Sequence, residues 1–293
     1  MLMLYFQLLA DGLVRGSGVG LVAISFAYIY STTGVFHIAH AGIYTVTSYV
    51  AWHLCRLGVP FLLALAAAMA VGTVLGLLVR SQLYDRLERR GASPLVILIA
   101  SIGTLTAFQN IVAILFSPNV LQFNVPWRRG FASFGAVTLT YPQIAQLLAG
   151  LLIVSGLMAF SQYTPLGKRI RAVASNRDLA EVTLLRPGVV GLHVMAIASG
   201  IVAVPAVLTG VDQALQPYIS LTVLLSAVVA MIAGGIGSVL GAYVMALALT
   251  VVQTVSIAVV PGRWSIAIVF AIFIAFILVK PEGLFRQKFS RQI

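Results

Sequence analysis

VPFLLALAAAMAVGTVLGLLVR, residues 59–80, carries no charge until Arg80 and a single hydroxyl, Thr73. A helix rising 1.5 Å per residue needs about 20 apolar residues to cross roughly 30 Å of hydrocarbon. This stretch meets that length, and its flanks repeat the pattern. Apolar runs broken by Pro, Gly and charge predict spans near 18–36, 40–57, 94–116, 143–163, 188–210, 219–236, 239–260 and 264–280 as well. The expected fold is therefore all-α: a polytopic membrane helix bundle of about nine spans (eight to ten), forming a single domain over 1–293. Segment 2–14 is too short to cross and is expected to be an interfacial or re-entrant helix. The pairs 18–57 and 219–260 have very short connections, where a re-entrant hairpin would read the same way.

Composition agrees and excludes other classes. The 293 residues are 60% hydrophobic and 9% charged, whereas a soluble domain is about 25% charged. Nine spans leave no room for a large soluble domain. The net charge of +11 is no sign of nucleic-acid binding, because the excess sits in short connections between apolar runs. Cys55 is the one cysteine, which excludes an intramolecular disulfide, and no Cys/His cluster has zinc-site spacing. The N-terminus lacks the pattern of a cleaved secretory signal and is expected to be retained.

Thirteen of the 18 basic residues fall on one side of the predicted bundle. They are Arg80, Arg86, Arg89 and Arg90, then Lys168, Arg169, Arg171, Arg177 and Arg186, then Lys280, Arg286, Lys288 and Arg291. The positive-inside rule puts these in the cytoplasm, with the N-terminus outside and the C-terminus inside. The outer connection 117–143 holds Trp127, Phe131, Phe134 and Tyr141. It reads as an interfacial aromatic belt or, less simply, a docking surface for an external partner.

The inner connection, TPLGKRIRAVASNRDLAE at 164–181, predicts a helix too polar to span. Thr164 suits the N-cap and Pro165 the first helical position. Leu166, Ile170, Val173 and Ala174 make one apolar edge, flanked by Lys168, Arg169, Arg171 and Arg177. Arg177 and Glu181 can pair at i,i+4. Such a helix lies across the cytoplasmic end of the bundle. Its apolar edge rests on lipid or enters a groove on a cytoplasmic partner.

This segment resembles the cytoplasmic coupling segment of permeases in branched-chain amino acid ATP-binding-cassette importers. GVFHIAHAGIYTVTSYVAW at 34–52 is similar to that family's first block, AVVAMIAGGIGSVLGAYVMAL at 227–247 to its glycine-rich block, and VKPEGLF at 279–285 to its closing motif. Two departures stand out. His40 is followed by Ala41, Gly42 and Ile43, without the family's acidic residue, and Glu181 by Val182, Thr183, Leu184 and Leu185 rather than the usual turn. The resemblance implies a bacterial inner-membrane subunit that pairs with a homologous permease, as a heterodimer rather than a homodimer. Two cytoplasmic ATPase subunits and an external solute-binding protein would complete the importer. It implies no cofactor on this chain, with ATP and magnesium on the partners. Coupling to the ATPase would fall to Thr164, Pro165, Leu166, Gly167, Lys168, Arg169, Ile170, Arg171, Val173 and Ala174. The solute would be a branched-chain amino acid or a similar small amphipathic molecule, carried by alternating access. The alternative is a secondary transporter or channel without ATPases.

Ionisable groups inside the predicted spans are few: His37, His40, His53 and His193. The absence of Asp or Glu deep in any predicted span argues against an ion-driven carrier. His37 and His40, three apart, would share a helical face, either as hydrogen-bonding groups at a helix break or lining the path. Gly12, Gly16 and Gly20, Gly72 and Gly76, and Gly237 and Gly241 recur at four-residue spacing, which lets helices approach closely in a bilayer. The dense cluster Gly234, Gly235, Gly237 and Ser238 is expected to break a helix and free backbone groups for a polar solute. The solute path is therefore expected beside His37, His40, Gly42, Thr45 and Ser48 on one side and that glycine cluster on the other. GIYTV at 42–46 and GIGSV at 235–239 form a faint internal echo. With no buried ion pair expected, solute binding by this subunit would be weak.

Overall fold

A computed structural model describes residues 2–280 and 283–285. Basic residues Arg286, Lys288 and Arg291 of the orientation argument lie outside the described residues, as does the side chain of Arg263. In chain order the elements are α1 (Leu2–Thr33), α2 (Ala39–Arg56), α3 (Phe61–Leu78), a π-helical turn (Val79–Tyr84), α4 (Asp85–Arg89) and α5 (Pro94–Phe116). A two-stranded hairpin follows, β1 (Phe131–Phe134) and β2 (Val137–Thr140), then α6 (Tyr141–Tyr163), α7 (Pro165–Ser175) and α8 (Arg177–Val182). The chain continues through α9 (Pro187–Ile201), α10 (Ala203–Asp212), α11 (Ser220–Gly234), α12 (Val239–Ser256) and α13 (Ser265–Val279). Six helical segments among the described residues, with α3–α4 and α9–α10 each taken as one, are long and apolar enough to cross a membrane. Helices α2, α11 and α13 fall on the remaining predicted stretches.

Segment 2–14 is not a separate interfacial helix. It is the first part of α1, which runs unbroken for 32 residues. The reason is packing. A side chain added at Gly12 would stand 2.7 Å from the Val251 Cα, and one at Gly16 would stand 2.8 Å from the Leu247 Cα. A Gly20 side chain would run into the Tyr243 ring. The three glycines thus form one flat face on which α12 lies backbone to backbone. Around this pair gather α6, α9 and α11. The core between them is led by Leu21, Ile24, Phe26, Ile43, Leu224 and Met231.

The fold is not wholly α-helical, because the outer connection folds into the hairpin. β1 and β2 pair antiparallel with Phe131 opposite Thr140 and Phe134 opposite Val137. Helix α12 also ends at Ser256, short of the expected residue 260.

The inner connection also differs from expectation. Thr164 caps α7 as foreseen, its hydroxyl accepting from the Gly167 amide at 3.0 Å. However, 164–181 is two helices. Asn176 leaves the helical region (φ −155°, ψ 107°) and caps α8, its side chain accepting from the Leu179 amide. A capping amide competes with continuing the helix, and here it wins. The expected pair Arg177–Glu181 forms at 4.0 Å.

Candidate functional site

Two cavities open at opposite ends of the bundle. The first, called the outer cavity after the expected orientation (and the second, likewise, the inner), has about 240 Å³ and lies between the first half of α1, the middle of α2, the start of α6 and the end of α10. The inner one, about 390 Å³, lies between the end of α1, the end of α6, α7 and the α11–α12 turn. On α1 the outer cavity reaches Val19 and the inner one begins at Ala27. The helix between them spans about 12 Å at 1.5 Å per residue. Leu21, Val22, Ala23, Ile24 and Phe26 fill it, each no more than 1% exposed. The two cavities are closed from each other by solid packing.

Polar groups line the outer cavity unevenly. Thr45 and Ser48, both predicted path residues, are on its α2 wall. The Thr45 hydroxyl bonds Ser220 at 2.7 Å, and Ser48 donates to the Thr45 carbonyl. Asp11, Arg15, Gln146 and Asp212 also line it. None of these was singled out for the path. Asp11 falls in the segment 2–14 expected to lie outside the spans, and Asp212 falls just beyond the predicted span 188–210. The hairpin holds Asp212 directly and Asp11 through Gln7 of α1. Gln7 accepts from the Thr138 amide at 2.9 Å and donates to Asp11 at 3.1 Å, while the Thr140 hydroxyl donates to Asp212 at 2.9 Å. Thr138 and Thr140 are two apart on β2 and so share one face of it.

His37 and His40 line neither cavity. Both are fully buried, and only His40 is on a helix, since His37 lies in the turn before α2. His37 Nδ1 meets the Tyr84 hydroxyl at 2.7 Å, and Tyr84 meets Ser101 at 2.7 Å. Ser101 accepts from the Ala39 amide at 2.9 Å, one of the first-turn N–H groups that α2 leaves unpaired. His40 Nε2 bonds Ser25 at 2.8 Å. The pair therefore ties the start of α2 to α1, α5 and the π-helical turn. Among the described residues, no third His, Cys, Asp or Glu stands near enough to make a metal site. Gly42 faces packing too. A side chain there would stand 2.8 Å from the Phe108 ring and 3.3 Å from the Leu105 Cα of α5.

The glycine cluster breaks the chain between α11 and α12, and the carbonyls at the end of α11 find partners. Gly235 and Gly237 have φ of +102° and +90°, a region that L side chains rarely adopt. Gly234 and Gly241 meet backbone to backbone. The Ser238 hydroxyl caps α12 by accepting from the Gly241 amide at 3.0 Å. The Ala233 and Gly234 carbonyls, left over at the end of α11, accept from the Leu284 and Phe285 amides at 3.0 and 3.1 Å. The closing motif thus docks on the glycine block and occupies the two leftover carbonyls of α11. Gly237 and Ser238 do line a cavity, the inner one, together with Ile170, Arg171 and Ala174. The predicted path residues are therefore divided. Thr45 and Ser48 line one cavity, Gly237 and Ser238 line the other, and His37, His40, Gly42, Gly234 and Gly235 are in packed contacts.

The apolar edge of α7 is not available to a partner. Ile170 and Val173 are each 2% exposed and belong to a core cluster with Tyr28, Ile29 and residues of α9, while Leu166 is half-buried against it. Gly167 is held by the corner itself, where a side chain would stand 2.6 Å from the Ser161 Cα. The outward face instead shows Pro165, Lys168, Arg169 and Arg171. Beyond them α8 and its exit expose Leu179 (60%), Val182 (79%) and Leu184 (92%). Beside α8, Arg80 is buried and ion-paired to Asp85 at 2.9 Å and Glu88 at 2.8 Å. The Arg177 guanidinium reaches the Thr33 carbonyl at 3.3 Å. The basic connections 80–93 and 164–187 thus share one end of the bundle. The hairpin, the start of α1 and the end of α10 share the other.

Residues 8–277 match the model of a family described as the permease component of branched-chain amino acid transport systems. The high-affinity branched-chain amino acid transport permease BraD of Pseudomonas aeruginosa is 28% identical over 296 residues, covering 96% of this chain and 95% of that protein. LivH of Escherichia coli K12, named in the same terms, is 28% identical over 297 residues, covering 96% of each. Among solved structures, PsaBC from Streptococcus pneumoniae in complex with a Fab shares the fold, with a TM-score of 0.52 and 15% identity over 92% of this chain and 91% of that one.

Proposed function

The chain belongs to the branched-chain amino acid transport permease family, and from that premise we propose that it is the membrane-spanning subunit of an ATP-driven importer. Its solute is a branched-chain amino acid or a similarly small amphipathic molecule, and its mechanism is alternating access. The observation that carries the mechanism is the pair of cavities at opposite ends, separated by a packed layer of α1. A channel would need a continuous path. A carrier that alternates needs two half-paths and a seal, and helix rearrangement moves the seal from one to the other.

Nine spans with the N-terminus outside fit this reading, because nine basic residues of the connections 80–93 and 164–187 then face the cytoplasm. ATP hydrolysis falls to two cytoplasmic ATPase subunits. They would dock on the outward face of α7 and on the exposed apolar residues of α8, with the buried Ile170 edge transmitting the movement to α1 and α9. A homologous permease and an external solute-binding protein complete the assembly in a bacterial inner membrane.

The test is uptake of radiolabelled L-leucine by membranes carrying the chain with its ATPases. Uptake should vanish when the ATPase nucleotide site is inactivated and should survive collapse of the proton gradient in ATP-loaded vesicles. Uptake that instead follows the gradient would identify a secondary carrier. In a Cys55→Ser background, Ser133→Cys should react with an impermeant thiol reagent on intact cells and Ser175→Cys should not. The reverse pattern would invert the orientation.

A further inference from the structure

We propose that the outer cavity is a binding site for one free aliphatic α-amino acid, held as a zwitterion by the chain's own charges. This rests on the permease reading and goes beyond it, because it places solute recognition in this subunit and names the groups that perform it.

Three observations converge. First, the cavity carries charges of both signs. Asp11, Asp212 and Arg15 all line it, and no ion pair joins any of them to another described residue. Opposite charges gathered in one cavity and not spent on each other are available to a molecule bearing both. Second, Gln146 is 4% exposed, and neither end of its side-chain amide has a hydrogen-bond partner. It lies against the cavity-lining Gly18, whose added side chain would stand 3.6 Å from the amide nitrogen. Its backbone is held in place, since the Gln146 carbonyl accepts from Ser17 at 3.0 Å. A buried amide with both ends empty costs free energy unless something completes it. Third, an apolar part of the wall, formed by Val14, Val19, Ala206, Leu208 and Val223, stands beside the polar part that holds Thr45, Ser48 and Thr209. The volume of about 240 Å³ gives room for one amino acid.

The assignment follows from charge. The α-ammonium group goes to Asp11, which Gln7 holds, and to Asp212, which Thr140 of β2 holds. The α-carboxylate goes to Arg15, which can meet it in bidentate fashion, and to the Gln146 amide N–H. The aliphatic side chain points to the valine and leucine wall.

The experiment measures equilibrium binding to the purified full-length chain in nanodiscs, with any subunits that co-purify and without ATP. The probes are L-leucine, isoamylamine, which lacks the carboxylate, and isocaproate, which lacks the ammonium. Arg15→Gln, Gln146→Leu and Asp212→Asn should each weaken L-leucine about tenfold or more, the scale of one charge-assisted hydrogen bond. Arg15→Gln should leave isoamylamine unchanged and weaken isocaproate. Asp212→Asn should do the reverse, and its retained isocaproate binding shows that the cavity is still folded. L-leucine that fails to saturate the wild type, or variants that bind all three probes as the wild type does, would overturn the site. An Asp212→Asn protein that loses isocaproate as fully as leucine would overturn the charge assignment. ATP-dependent leucine uptake persisting without such binding would retain the permease reading and reject this site. Binding without uptake would do the opposite.

Discussion

Helices α1 and α5 are both long enough to cross a bilayer, and α5 is the more hydrophobic, yet α1 is the one inside. In its most apolar stretch 83% of the residues of α1 are buried, against 28% for α5. The buried residues of α1 include Gly12, Gly16, Ser17, Gly18, Gly20, Ala23, Ser25 and Ala27. Those of α5 form one stripe, Ile97, Ser101, Leu105, Gln109 and Val112, while Ile99, Ile114 and Leu115 point outward. Helix α6 repeats the pattern, with Gln146, Gly150 and Ser161 on its buried stripe. Lipid tails are as apolar as leucine, so hydrophobicity gives no reason for one face to turn inward. Small residues, which let backbones meet, and polar residues, which need partners, decide it.

The sharpest test sets Gly16 against Gly103, a glycine of α5 with nothing within 4 Å of an added side chain. Gly16→Leu drives a branched side chain into the Leu247 backbone and should cost about 3 kcal/mol or more. Little monodisperse protein should be recovered, and a normal yield would break the comparison. Next in size, Ile170→Asp buries a charge at 2% exposure and should cost several kcal/mol, at least about 3. It should lower the thermal stability of the chain itself. Leu179→Asp, on the exposed face, should leave stability unchanged and reduce co-purification of the ATPase. If the Ile170 variant is stable and only the ATPase is lost, α7 docks by its apolar edge after all. Tyr84→Phe removes the partner of His37 Nδ1 and should cost about 1–3 kcal/mol, read as a lower midpoint in a thermal scan. The smallest effect is at Gly103. Gly103→Ala should raise stability by up to about 1 kcal/mol, the helix-propensity difference alone. A loss there would mean that α5 is covered by a partner at that point.

Much of the fold was legible because membrane helices announce themselves by length and apolarity. Residues 94–116 were read to the residue, and Thr164 was recognised as a cap because capping is a local interaction. The readings that failed depended on what lies across the gap. Residues 2–14 looked too short because their continuation through Arg15 to Gly18 is not apolar, and only α12 lying on Gly12 and Gly16 makes that continuation a buried helix. The apolar edge of α7 was visible, but an amphipathic pattern shows that a face is buried, not by whom. The glycine block reads as a break and is one, but only the tertiary structure shows that Leu284 and Phe285 dock on it and take the two carbonyls left at the end of α11.

The sequence by itself determined that the chain is a polytopic membrane protein, where most helices begin and end, and to which family it is similar. Those depend on local apolarity, caps and motifs. Only the tertiary structure decided that Thr45 and Ser48 meet Asp11, Arg15, Gln146 and Asp212 around one cavity, while His37 and His40 are sealed in packing. The reason is that a site in a helix bundle is assembled from residues far apart in the chain. Which faces of two helices meet is set by side-chain volume and hydrogen-bond partners on both at once, and neither helix carries that information alone.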